Sequence, residues 1–132
     1  MGRTLMVKTS VPTSVDYQQQ ERRLVLTYAD GHAYTLSAEF LRVMSPSAEV
    51  KGHGQPILQT GKCEVKIWQI EPVGRYALKL SFDDGHDTGL YSWDYLAHLG
   101  QNQARLWQDY LAQLAEQGKS RQPSLIPLSS SD

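Results

Sequence analysis

Residues 24–41, LVLTYADGHAYTLSAEFL, and residues 78–96, LKLSFDDGHDTGLYSWDYL, are two versions of one pattern. In each, apolar residues alternate with polar ones, as on a half-buried strand. An Asp-Gly-His turn follows, then a short second strand, a serine, and an aromatic-Leu pair that opens a helix. Asp30-Gly31 and Asp84-Gly85 supply the positive-φ position that a tight hairpin needs. Ser37 and Ser92 stand where an N-cap hydroxyl satisfies the first free amides of a helix. The repeat predicts two ββα units. Their first strands lie at 24–28 and 75–82, their second at 32–36 and 88–91, and their helices begin at 38 and 93.

Working outward, a further strand is expected over 64–72, joined to 75–82 through Val73-Gly74. Gly100 is placed to stop the second helix. A last helix is expected over about 102–117, where Leu106, Tyr110, Leu111 and Leu114 recur at helical spacing and Gly118 closes the run. The fold expected is α+β, a mainly antiparallel sheet built from two pseudo-repeated ββα units plus a C-terminal helix. Residues 1–20 are mixed and polar and form a partly ordered N-terminal segment, with a short strand at 5–8. The domain proper is expected over 21–118. Residues 119–132, rich in Ser and Pro, are expected to be a flexible tail.

The 132 residues suit one domain, and 40% apolar content is enough for a modest core. A net charge of −1 supplies no bulk attraction to nucleic acid or to an anionic membrane. Cys63 is the single cysteine, which excludes a disulfide within the chain and fits a reducing compartment. Lys62 beside it favours a thiolate, but one thiol cannot run a dithiol cycle. No apolar run resembles a signal peptide or approaches the roughly 20 residues of a membrane span. These features predict a cytoplasmic protein with no membrane or nucleic-acid partner.

Two regions hold the candidate site residues. The first is the segment 45–62, SPSAEVKGHGQPILQTGK, whose length and glycines mark it as a functional loop. Lys51 and His53 lie there, His53 between two glycines that let a ligand approach the backbone. The second is the acidic turn Asp83-Asp84-Gly85-His86-Asp87. Its carboxylates and imidazole suit a metal or acid–base centre. The same residue types are equally the ordinary ones for a turn, where Asp bonds its own backbone. The glycines around His53 are not a phosphate loop, since no Gly-Lys-Ser/Thr follows them, and no nucleophile elbow or Ser-His-Asp order is present.

The stretches EFLRVMSPSAEVKGHG, LQTGK, IEPVGRYALKLSFDDGHDTGLYSWDYL and LWQDYLAQL resemble the small bacterial proteins of the DUF971 family, also called the gamma-butyrobetaine hydroxylase-like N-terminal domain. The resemblance covers about residues 10–117, and the motif from Asp84 to Leu96 is its most specific part. In animal hydroxylases a similar domain precedes the catalytic jelly-roll. It carries a structural zinc held by a Cys-x-Cys-x-x-Cys run and a distant His. The resemblance lays those ligands on Ser45, Ser47, Val50 and His86, so three of the four are absent here. Elsewhere the domain is fused to P-loop ATPases with iron–sulfur clusters.

The resemblance implies an accessory module without its own catalytic centre, linked to iron–sulfur assembly or to an oxygenase partner. The expected binding surface comprises Lys51, His53, Asp84, His86 and Asp87, and no cofactor is expected. The alternative is a zinc- or iron-binding protein that uses His86 and the neighbouring acidic turn. An enzyme built on that turn is a third reading, without a nucleophile–base pair to support it.

Overall fold

In a computed structural model the described residues are 11–46, 58–84 and 89–123. They form six strands and three helices in the order β1 (Ser14–Gln18), β2 (Arg23–Thr27), β3 (Ala33–Ser37), α1 (Ala38–Val43), β4 (Ile67–Val73), β5 (Ala77–Phe82), β6 (Gly89–Ser92), α2 (Trp93–Gln101) and α3 (Gln103–Gln117). The strands make two three-stranded antiparallel sheets, ordered β1-β2-β3 and β4-β5-β6. The molecule is α+β, as the repeat requires.

The repeat is one strand longer than its sequence signature. β1 pairs with β2 from Ser14 opposite Thr27 to Gln18 opposite Arg23, just as β4 pairs with β5. Each unit is therefore βββα. The stretch Ser-Val-Asp-Tyr-Gln has too few apolar residues to announce a strand, and β2 supplies the pairing that makes it one. The first sheet accordingly starts at Ser14, inside the segment expected to be only partly ordered. The strand expected at 5–8 lies outside the described residues.

Both units close on themselves in the same way. Ser37 accepts the Phe40 amide at 3.0 Å, and Ser92 accepts the Tyr95 amide at 3.0 Å. The first helical amide of each helix returns to the turn before the central strand. Ala38 donates to the Arg22 carbonyl at 2.8 Å, and Trp93 to the Tyr76 carbonyl at 3.0 Å. The first hairpin is a three-residue connection with Gly31 at φ 96°, as the turn chemistry demands. Its counterpart Gly85 lies outside the described residues.

Period-two burial builds a single core. Leu24, Leu26 and Leu36 meet Leu78, Leu80, Phe82 and Tyr91, with Phe40, Leu41, Leu96 and Leu99 from the two short helices. Tyr110 and Leu114 of α3 are buried as well. Trp93, Tyr95 and Leu106 are half-buried and pack against it. Their positions suit their chemistry, because the Trp93 indole N–H needs and finds the Arg75 carbonyl at 2.9 Å.

Two expectations change. Gly100 does not stop α2, which runs on to Gln101. It is glycine because the Tyr34 ring lies against it, 2.4 Å from where a Cβ would stand. The segment beginning at 119 was expected to be loose, yet its first residues are docked. The Gly61 and Cys63 amides donate to the carbonyls of Ser120 and Arg121, each at 3.0 Å. Among the described residues no helix is long and apolar enough to cross a membrane.

Candidate functional site

α1 is a short helix buried from Ala38 through Arg42, and Ser45, just beyond its C-terminal end, is buried as well. An arginine in that company is buried with its neighbours, its side chain only 6% exposed. A buried guanidinium demands a carboxylate. The partner is Asp84, whose Oδ2 accepts Arg42 Nε at 2.9 Å and Lys62 Nζ at 2.6 Å. Arg42 Nη1 is buried and has no hydrogen-bond partner among the described residues.

Asp83 is occupied differently. Its Oδ1 accepts the Lys66 amide at 3.0 Å while its own amide donates to the Lys66 carbonyl at 2.9 Å, which continues the β4–β5 ladder by one rung. The first-unit residue that matches Asp84, namely Asp30, shows how far the two copies have diverged. Asp30 stays local, accepting the His32 amide at 3.0 Å and the His32 ring. Those two hydrogen bonds hold its carboxyl below the usual range. His32 lies flat on Tyr28, with ring centroids 4.5 Å apart.

The clamp has a floor of phenols. The Tyr91 hydroxyl donates to the Leu41 carbonyl, and Tyr95 donates to the Met44 carbonyl at 2.5 Å. Ser45 is buried and hydrogen-bonded to the Tyr91 phenol. Burial raises the pKa of both tyrosines, so each is held as a neutral donor.

Of the predicted site residues, Asp84 and Ser45 are described, and they belong to this one cluster. Lys51, His53, His86 and Asp87, with Ser47 and Val50 of the implied zinc set, lie outside the described residues. The clamp nonetheless joins their anchors. In the sequence, Arg42 and Lys62 stand on either side of the stretch that contains Lys51 and His53, and Asp84 immediately precedes the stretch that contains His86 and Asp87. Arg42 and Lys62 were not singled out from the sequence. The legible signal was the charge on α1. The residues at hand do not fit the zinc that the resemblance implies. The Ser45 hydroxyl is engaged with a phenol and offers no thiolate.

A second ion pair fixes the C-terminal segment. Arg121 grips Glu39 with two hydrogen bonds, 2.8 and 2.7 Å, and its guanidinium stands 5.3 Å from the Trp107 ring centre. The Glu39 carboxylate is 8% exposed, so this contact too is cut off from water on one side.

Residues 15–97 match the family described as gamma-butyrobetaine hydroxylase-like, N-terminal. The chain belongs to that family. The matched span of this gamma-butyrobetaine hydroxylase-like N-terminal domain runs from β1 into the first half of α2, and leaves α3 and Arg121 outside it. Two proteins solved by NMR in solution are similar. One is 52% identical with a TM-score of 0.78, over 90% of this chain and 97% of that one. The other is 50% identical with a TM-score of 0.78, over 94% of each. A crystal structure of a protein of unknown function in the DUF971 family, from Acidithiobacillus ferrooxidans, is 38% identical with a TM-score of 0.58, over 67% of this chain and 91% of that one. A comparison with curated proteins finds no match.

Proposed function

We propose that this domain is a non-catalytic accessory module of the cytoplasm that recognises another protein. The recognition surface is formed by the 45–62 loop and the 83–91 turn. The observation that carries this reading is the Asp84 clamp. A carboxylate that neutralises two cations at 2.9 and 2.6 Å is committed to structure, and is a poor general base or metal ligand. By tying the roots of both segments to one point, the clamp supports a shared surface bearing Lys51, His53, His86 and Asp87. Mixed charge of that kind favours specific recognition and fast association. The family resemblance makes an iron–sulfur protein or an oxygenase the first partner to seek.

The test is affinity capture from the source cell's lysate with the parent protein and with a His53→Ala/His86→Ala double variant. The variant should fold normally by circular dichroism and lose the partner. Retention of every captured protein would remove this surface from consideration. Metal analysis of tag-free protein separates the alternative, since zinc or iron near one equivalent would establish a metal-binding protein instead.

A further inference from the structure

The edges of the two sheets meet at β1 and β4. Tyr17, near the end of β1, accepts the Ile67 amide of β4 through its hydroxyl at 3.1 Å. β1 and β4 are both edge strands, each paired on one side only. Beside their junction lies a groove of about 480 Å³, walled by Tyr17, Arg22, Lys66, Ile67, Trp68 and Asp83 among others.

Three local irregularities converge on it. The β4–β5 register shifts between Ile67 and Gln69, a bulge at Trp68. Bulges at sheet edges re-aim a side chain, and here Trp68 is left 65% exposed. Arg22 has φ 57°, the one non-glycine residue in the left-handed region among the described residues. Backbone of that kind is held at a cost by its surroundings and concentrates at binding sites. The third feature is charge. Neither Arg22 nor Lys66 has a carboxylate within ion-pair distance among the described residues, while Asp83 is already engaged by the Lys66 amide.

We propose that this groove docks an extended, acidic segment of a partner protein. The two edge strands offer unpaired backbone groups to an extended chain. Trp68 receives an apolar residue, and Arg22 and Lys66 receive its carboxylates. Pro72, which has no amide hydrogen, limits strand addition toward the far end of β4. A nucleic acid is disfavoured because, among the described residues, two cations line the groove and the Asp83 carboxylate lines it with them. The inference rests on the recognition reading above but uses other residues, so each fails separately.

The experiment selects displayed random seven-residue peptides on the immobilised full chain. Selected peptides should carry Asp or Glu beside an apolar residue, and their affinity should fall about tenfold or more with Trp68→Ala. Arg22→Glu/Lys66→Glu should select basic peptides instead, and Lys66→Glu alone should weaken the acidic ones. His53→Ala/His86→Ala should bind the same peptides as the parent. Selection of peptides without acidic residues, no selection at all, or affinity unmoved by Trp68→Ala would overturn the proposal. So would a single-stranded oligonucleotide that displaces the peptides at equal concentration.

Discussion

Arg42 and Asp84 lie 42 residues apart in the chain and 2.9 Å apart in space, and they join the helix of the first unit to the hairpin of the second. Lys62 completes the arrangement at 2.6 Å. The pair ties together the ends of α1 and β5, from which the two segments of the proposed surface depart in the sequence.

Asp84→Ala leaves the Arg42 guanidinium buried without its counter-charge, which should cost about 3 kcal/mol in urea unfolding. Replacing both, as Arg42→Met/Asp84→Ala, should recover most of that loss, because an apolar side chain needs no partner. A single-variant loss under about 1 kcal/mol would place the pair with screened surface ion pairs.

Gly100→Ala should destabilise the protein although alanine is the better helix former by about 1 kcal/mol. The new methyl group would stand 2.4 Å from the Tyr34 ring, so ring or helix must move. The net loss expected is about 1–3 kcal/mol, as for an overpacked core. Combining it with Tyr34→Ala should leave only the cost of the lost ring. A stabilising Gly100→Ala would show that Tyr34 swings aside freely.

A chain ending at Gly118 should be less stable by about 2 kcal/mol, since Glu39 loses both charge-assisted hydrogen bonds from Arg121. Arg121→Lys should recover only part, because an ammonium does not match the two-point grip or lie on the Trp107 ring in the same way. Thermal midpoints of the three proteins decide the matter. Equal midpoints would mean that the docked segment adds nothing.

Alkaline pH should destabilise the domain once phenols of the unfolded chain begin to ionise. Burial, with Glu39 nearby, pushes the Tyr110 pKa up to about 12 from 10.0. The folded state then holds the proton more tightly than the unfolded one. This contribution is complete below pH 10 and is lost as pH rises from 10 toward 12. Tyr110→Phe loses the hydrogen bond to the Gln59 carbonyl, and about 1 kcal/mol at neutral pH, but should flatten that decline. Midpoints recorded from pH 8 to 12 test it, and an unchanged slope would assign the alkaline limb to Tyr91 and Tyr95, whose pKa values burial also raises.

The repeat, five of the six strands, the three helices and both serine caps were legible because each rests on short-range physics. Period-two burial at Leu24, Leu26 and Tyr28, repeated at Leu78, Leu80 and Phe82, needs no knowledge of a partner. Neither does the left-handed turn at Gly31 nor the serine hydroxyl at Ser37. What the tertiary structure decided is contact between segments distant in the chain. β1 is a strand because β2 lies beside it, Gly100 is glycine because Tyr34 crosses it, and Arg121 is ordered because Glu39 is buried below. The carboxylate singled out in the acidic turn acquired its role only when Arg42 and Lys62 arrived from elsewhere. Local preference is written in neighbouring residues, whereas a buried charge or a steric contact exists only once the chain has folded back on itself.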